Sequence, residues 1–223
     1  MTQEPSPVVR ERLPFLIGVT VLTVAVAFLK IAWLTVVMGA LALQTFWFFR
    51  DPDRIIPPGE GLIVSPADGR IVEVSEVKEE RFLKGRAIKV SIFLNLFDVH
   101  VNRIPCSGRI RGMHYQPGKF LAANKDLAST ENEQNAILLE TPSGAKLVFV
   151  QVAGLVARRI VCWVKEGDAV ERGFRFGMIR FGSRTDLFLP PGTEIKVRLG
   201  QKVKGGSSII GVLKCKIIDA ASI

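Results

Sequence analysis

Between residues 13 and 49 the chain carries a single charged side chain, Lys30. That residue divides the stretch into two apolar runs, 13–29 and 31–49. Each is near the roughly 17–20 residues that a helix needs to cross a bilayer. Arg10 and Arg12 stand before the stretch, and Arg50 and Arg54 after it. Basic flanks at both ends favour a tight helical hairpin that turns at Lys30 and keeps its two ends on the cytoplasmic side. The competing geometry is a shallow interfacial anchor held by Trp33, Trp47 and the aromatic cluster at 46–49. No small-residue cleavage site follows, which argues against a removable signal peptide. Asp51-Pro52-Asp53-Arg54-Ile55-Ile56-Pro57-Pro58-Gly59 then ends helical structure and reads as a linker, because proline lacks the backbone donor a helix needs. The chain divides accordingly into an anchor, 1–56, and a second part, 57–223.

The second part has a different rhythm. Short alternating segments, punctuated by Gly and Pro, predict strands at 62–65, 69–77, 87–93, 108–115, 136–140, 146–152, 160–164, 176–181, 186–188, 194–198 and 208–218. Residues 119–134 lack a clear strand and read as a loop with a helical turn. Regular short strands without long helices predict a mainly β barrel or sandwich behind the helical membrane hairpin. Three segments echo one another, at 65–72, 164–170 and 199–205, and resemble the turns of biotinyl/lipoyl-type β domains. The Met-Lys pair that displays a carrier lysine is missing, so the echo speaks to fold and not to carrier function.

The 223-residue chain has a net charge of +9 and a pI near 9.8. Lys and Arg are scattered through strand-like segments with no basic run interleaved with aromatics. Beside an apolar N-terminus this balance fits anionic lipid and excludes nucleic acid as a partner. The three cysteines, Cys106, Cys162 and Cys215, are widely spaced and lack a CxxC, which argues against a disulfide framework or a metal site and for apolar thiols in a reducing compartment.

Several polar constellations interrupt the strands. Ser65-Pro66-Ala67-Asp68-Gly69 is turn chemistry, with Asp capping backbone N–H groups. In Phe97-Asp98-Val99-His100-Val101-Asn102-Arg103-Ile104-Pro105, the alternating Asp98, His100 and Asn102 would share one face of a strand. The other histidine, His114, reads as structural. Glu131-Asn132-Glu133-Gln134-Asn135 reads as a solvated loop. Ala153-Gly154-Leu155-Val156-Ala157-Arg158-Arg159 could hold a phosphate on its paired arginines or be an ordinary loop. Phe181-Gly182-Ser183-Arg184 contains a Gly-Ser step, with a rival at Gly206-Ser207.

In order and combination, Phe48-Phe49-Arg50-Asp51-Pro52, Pro66-Ala67-Asp68-Gly69, the 97–105 segment, Asn132-Glu133, Ala157-Arg158-Arg159-Ile160 and 175–184 resemble the phosphatidylserine decarboxylases of the short bacterial and archaeal type. The resemblance spans about residues 48–210. It implies a pyruvoyl-dependent decarboxylase that makes its cofactor by internal serinolysis at Gly182-Ser183. The Ser183 hydroxyl attacks the Gly182 carbonyl, giving an ester. Loss of the Ser183 α-proton expels the upstream chain, and the remaining dehydroalanine hydrolyses to a pyruvoyl group. The products are a larger β chain, 1–182, and a smaller α chain, 183–223, with room for a higher homo-oligomer.

The substrate amine then forms a Schiff base with the pyruvoyl, CO2 leaves, and phosphatidylethanolamine results. Asp68 and Ser183 match the family's self-cleavage residues. Arg103 stands where longer bacterial enzymes have their second histidine, and His100 matches the first. Two arrangements follow: His100 serves both self-cleavage and reprotonation of the α-carbon, or Asp68 activates Ser183 with other help. Asn102, Arg103, Arg158 and Arg159 are candidates for phosphate or carboxylate contacts. The resemblance places the enzyme at the cell membrane with its catalytic part on the cytoplasmic side. Alternatives are an archaetidylserine or related amino-lipid decarboxylase and, in a different class, an uncleaved membrane-tethered β-barrel adaptor.

Overall fold

The computed structural model of the chain describes residues 8–119, 131–154, 160–179 and 182–213. It divides into two compact units. One comprises Met1–Asp53 together with Leu96–Val99, and the other Arg54–Asn95 together with His100–Ile223.

The first unit is built on two helices, α1 (Val8–Phe28) and α2 (Ala32–Phe48). Lys30 turns the chain between them at φ 56°, in the left-handed region. The helices lie side by side, and the Thr23 hydroxyl donates to the Val19 carbonyl at 2.7 Å and the Met38 carbonyl at 3.4 Å. Thr35 and Thr45 bond back to carbonyls four residues earlier, so their hydroxyls bring no unmet polar group into an apolar setting. Apolar side chains cover the outside: Phe28 is 82% exposed and Leu43 73%. A helix that is apolar all round belongs in a core or a bilayer, and these side chains face no core. With 21 residues, α1 is long and apolar enough to cross a membrane, whereas α2 has 17.

At the end of α2, the Arg50 guanidinium lies 4.4 Å from the Trp47 ring centroid and donates to the carbonyls of Trp47 and, at 2.6 Å, Phe97. The second of these bonds ties Leu96–Val99 to the helical unit, with Leu96 and Phe97 exposed. Asp98 sits at a bend there and His100 just before a strand, so of the expected Asp98-His100-Asn102 strand face only Asn102 lies in a strand.

The second unit is β structure, as its alternation predicts. The strands are β1 (Leu62–Val64), β2 (Gly69–Glu79), β3 (Gly85–Leu94), β4 (Val101–Arg103), β5 (Gly108–Gln116), β6 (Gln134–Glu140), β7 (Lys146–Val152), β8 (Ile160–Cys162), β9 (Ala169–Val170), β10 (Arg175–Ile179), β11 (Ser183–Leu189), β12 (Glu194–Ile195), β13 (Lys202–Val203) and β14 (Ile209–Val212). An eight-stranded sheet, in the order β13-β2-β3-β11-β7-β6-β5-β9, curls into a half-barrel. Two three-stranded sheets accompany it, β4-β10-β8 and β1-β14-β12.

Strand alternation decides what the curled sheet encloses. Leu187 of β11 lies opposite Val90 of β3 and Phe149 of β7, and Phe149 lies opposite Ile137 of β6. These four belong to one buried cluster with Leu94, Leu139, Leu147, Leu189 and, from the small sheets, Ile63, Phe176 and Ile210. Phe149 meets Phe176 edge to face, with ring centroids 4.9 Å apart. The opposite face is covered where Ala136, Val148, Val150 and Val152 meet Phe82 and Leu83 from the β2–β3 tip. The Glu79 carboxylate holds that tip by accepting the N–H groups of Arg81, Phe82 and Leu83. Burial on both faces explains why β7 reads almost continuously apolar.

Three strands are additions to the reading from sequence. β9 and β13 have two residues each, too few for alternation to reveal. Both come from the echo segments, and Lys202 and Val203 pair with Arg70 and Gly69, so the first and third echoes are partners in the sheet. The third addition, β4, is cut short by the bend at Asp98. β11 begins earlier than predicted, at Ser183; β14 covers Ile209–Val212, and 214–218 of the predicted strand lie outside the described residues. Most of 119–134 lies outside the described residues.

Candidate active site

Ser183 sits where the chain passes from a small sheet into the middle of the large one. Upstream, Ile179 ends β10, and its N–H reaches the His100 carbonyl at 3.4 Å. Downstream, Ser183 opens β11 opposite Leu94 of β3, and Arg184 lies opposite Val152 of β7. Gly182, between them, has φ +64°, a conformation that strains any residue with a Cβ. Among the described residues no atom lies within 4 Å of where that Cβ would stand, so conformation and not crowding calls for glycine. Ser183 is fully buried, yet its Oγ has no hydrogen-bond partner among the described residues. Such a group costs about 1–3 kcal/mol, so the hydroxyl does not stabilise the fold, which makes the position a candidate for function.

The core changes character at this end. Ser183 and Thr185 share the face of β11 that carries Leu187 and Leu189. Gln151 lies opposite Thr185, and Asn135 opposite Gln151. A row of amides and hydroxyls thus continues the row of Leu, Ile and Phe. Asn135 Nδ2 donates to Gln151 Oε1 at 3.2 Å, and Gln151 Nε2 donates to Asn102 Oδ1 at 2.9 Å and the Val161 carbonyl at 3.3 Å. The relay fits because Gly177 adds no side chain: a Cβ there would come within 2.9 Å of Gln151 Nε2 and 2.3 Å of the Val161 oxygen. Thr185 Oγ1 and Asn102 Nδ2 are buried without a partner among the described residues.

His100 is fully buried and directly precedes β4, the strand that carries Asn102 and Arg103. Arg103 is buried as well; its Nη1 donates to the Gly173 carbonyl at 3.0 Å and its N–H to the Pro66 carbonyl at 2.8 Å. That second bond joins β4 to the turn containing Asp68. The Asp68 carboxylate accepts Arg54 Nη2 at 2.9 and 2.8 Å and the Gly205 N–H at 2.8 Å. These bonds fix Asp68 in place, and none of them reaches Ser183. The structure therefore sets Thr185, two residues after Ser183, beside Gln151, bonds Gln151 to Asn102, and places the His100 carbonyl against the Ile179 N–H. Arg158 and Arg159 lie outside the described residues.

Other sequence readings change. Within the run at 131–135, Glu131 stays partly exposed but Asn132, Glu133, Gln134 and Asn135 are buried and not solvated: Asn132 Nδ2 donates to the Ala153 carbonyl at 2.7 Å, and Gln134 starts β6. Glu133 accepts the Tyr115 hydroxyl at 3.0 Å, and this bond to a carboxylate raises the phenol pKa. His114 is exposed on β5 and serves no packing role. The rival Gly206-Ser207 step is a closed turn, with the Gly206 N–H on the Ser65 carbonyl and the Ser207 N–H on the Lys204 carbonyl. Cys106 and Cys162 are free thiols whose pKa values burial raises, so they stay neutral. Cys215 lies outside the described residues.

A model of the phosphatidylserine decarboxylase family matches residues 41–211. The chain belongs to that family. Three phosphatidylserine decarboxylase proenzymes illustrate the similarity. The protein of Syntrophus aciditrophicus is 52% identical over 208 residues, covering 92% of this chain and 97% of the relative. That of Symbiobacterium thermophilum is 50% identical over 214 residues, covering 96% and 99%. That of Desulfotalea psychrophila is 44% identical over 211 residues, covering 95% and 99%. The phosphatidylserine decarboxylase match includes Asp68, His100, the Gly182-Ser183 step and the amide relay, and it begins inside α2.

Thr185, Gln151, Asn135 and Arg54 carry much of this geometry; from sequence, Asn135 read as part of a solvated loop and Arg54 as a basic flank, and Thr185 and Gln151 were given no role. The signal for Gln151 is its phase. In Leu147-Val148-Phe149-Val150-Gln151 it follows the inward Leu147 and Phe149 at the strand period of two. Thr185 follows from the inward Leu187 and Leu189 in the same way.

Proposed function

We propose that this chain is a self-cleaving proenzyme whose product decarboxylates phosphatidylserine to phosphatidylethanolamine and CO2. The observation that carries the reading is the buried, unpartnered Ser183 hydroxyl next to a left-handed Gly182. Gly182 gives its own carbonyl an unshielded approach and holds the left-handed conformation without the strain that a Cβ would bring. Cleavage there yields chains 1–182 and 183–223.

The residues fit a pyruvoyl group at position 183, because Ser183 is the precursor and the neighbouring hydroxyl and amides are neutral donors. That group supplies a carbonyl that condenses with the substrate amine and draws electrons from the α-carbon as CO2 departs. His100 is assigned to deliver a proton to the α-carbon, because imidazole is the side chain most suited to general acid–base work. Asp68 is assigned to self-cleavage as a fixed anion, acting through His100 or with other help. Asn102, Arg103, Arg158 and Arg159 are assigned to the headgroup. α1 and α2 anchor the enzyme in the membrane that holds its substrate, with the basic flanks and the β unit on the cytoplasmic side. A long apolar helix with outward-facing Val and Leu supports this part of the reading.

Intact-mass analysis of the purified protein tests the proposal. Two chains are expected, the smaller beginning at a blocked residue 183, and Ser183→Ala is expected to stay whole and inactive. A single intact wild-type chain would overturn it. His100→Ala separates the two steps: cleavage retained with decarboxylation lowered about 10²–10⁴-fold assigns His100 to proton transfer alone. An uncleaved His100→Ala chain, with β structure intact by circular dichroism, gives it both steps.

A further inference from the structure

Three buried donors at one end of the core have no protein partner among the described residues: Ser183 Oγ, Thr185 Oγ1 and Asn102 Nδ2. The proposed function uses the first. The other two are fixed in place. Asn135 donates to Gln151, Gln151 donates to Asn102, and the Asn102 amide nitrogen is left as the free end of the relay. Thr185 is held by β11 between Ile92 and Gln151. Buried polar groups are nearly always hydrogen-bonded, so two spare donors near Ser183 in the strand register point to an acceptor that the described residues do not provide.

We propose that Thr185 and Asn102, the latter oriented by Gln151, form the subsite for the α-carboxylate of the seryl headgroup. The inference rests on the pyruvoyl reading. The substrate amine must meet the carbonyl derived from residue 183, and the carboxylate sits on the carbon that bears that amine. It therefore falls within a few ångströms of residue 183. Thr185 is two residues along the same strand face, about 6–7 Å between Cα atoms, and its side chain projects to the same side of the sheet as that of residue 183. The phosphate lies further along the headgroup and reaches other donors.

The neutrality of this pair matters. As CO2 leaves, negative charge moves off the carboxylate, so a guanidinium clamped to it would stabilise the ground state more than the transition state. A hydroxyl and an amide orient the group with less of that penalty. The cation next to Ser183 in the chain is turned away: Arg184 points to the opposite face of β11 and forks onto Asp186 at 2.8 and 2.9 Å.

The test uses the cleaved full-length enzyme in detergent and two short-chain lipids that lack an amine. In one, the headgroup is phosphoglyceric acid, with the carboxylate present; in the other it is phosphoethylene glycol, without it. Calorimetric dissociation constants are measured for both. Wild type is expected to prefer the carboxylate lipid. Thr185→Val is expected to weaken that lipid about ten- to a hundredfold and leave the glycol lipid unchanged, while Thr185→Ser keeps the preference. If Thr185→Val does not fold, Asn102→Asp carries the test. It retains the acceptor for Gln151 but replaces the donor with an anion, and is expected to reject the carboxylate lipid selectively. An unchanged preference in the folded variants, or an equal loss for both lipids, overturns the subsite. A wild-type chain that never cleaves overturns the pyruvoyl reading instead.

Discussion

Strand β11 has two faces, and both begin with polar residues. On the outer face Arg184 and Asp186 are almost fully buried and satisfy one another through two short bonds. Their neighbourhood is similarly closed. Ser91 lies opposite Asp186 and donates to Glu73 at 3.2 Å, and Glu73 pairs with Lys89 at 2.7 Å. On the inner face Ser183 and Thr185 are equally buried, yet their hydroxyls find no protein acceptor or donor among the described residues. One strand thus commits polarity to the fold on one side and holds it in reserve on the other. Burial alone does not single out a candidate site; buried hydroxyls with unspent hydrogen-bonding capacity on the strand that follows Gly182 make Ser183 and Thr185 candidates.

Removing one member of each pair should expose the contrast. Arg184→Ala leaves Asp186 buried without its counter-ion and is expected to lower stability by about 3–5 kcal/mol, read from denaturant unfolding of the uncleaved Ser183→Ala background. A loss below about 1 kcal/mol would break the comparison. Thr185→Val in the same background removes a hydroxyl that satisfies nothing, so the midpoint is expected to stay within about 1 kcal/mol of the parent or to rise. A larger drop would mean that Thr185 is structural after all.

The smallest effect belongs to the outer edge. Burial pushes the Glu73 pKa up, but hydrogen bonds from Lys89, Ser75 and Ser91 and the Lys89 charge outweigh it, and the net shift is downward. A carboxylate depressed on folding adds stability above its ordinary pKa and loses it as pH falls through the lower, folded value. Glu73→Gln is therefore expected to flatten the acid limb of the stability profile below about pH 4.5, starting from the ordinary value of 4.5. Solvent screens a side chain that is 36% exposed, so the effect at neutral pH is at the low end of roughly 0.2–1 kcal/mol. An unchanged acid limb would remove Glu73 from the comparison.

Some of this was open to reading and some was not. The helical pair follows from a long apolar stretch broken once at Lys30, and β2, β3 and β7 follow from alternation over many residues. The Gly182-Ser183 step was chosen over Gly206-Ser207 through the family resemblance and not from the dipeptide itself. The polar end of the core was hidden because it depends on pairing. Asn135, Gln151 and Thr185 meet only when β6, β7 and β11 align in register, and Asn102 joins them from another sheet. For the same reason Arg54 read as a flank of the apolar stretch, although its guanidinium belongs to Asp68. The polar run at 131–135 misled because composition signals exposure, whereas its amides are enclosed by the residues they bond.

The position of β11 has a consequence for how long the molecule lasts. If the chain is cut before Ser183, then β11, β12, β13 and β14 form a separate polypeptide that is still threaded through the larger one. β11 remains between β3 and β7, β13 along β2, and β14 against β1. Assembly happens once, as a unimolecular event. After the cut, refolding would require two polypeptides to find each other, and one of them carries the apolar helices. The mature protein would then persist by the slowness of its unfolding rather than by an equilibrium it can revisit. Its lifetime would be set by the edge-to-edge bonds that keep a short central strand from slipping out.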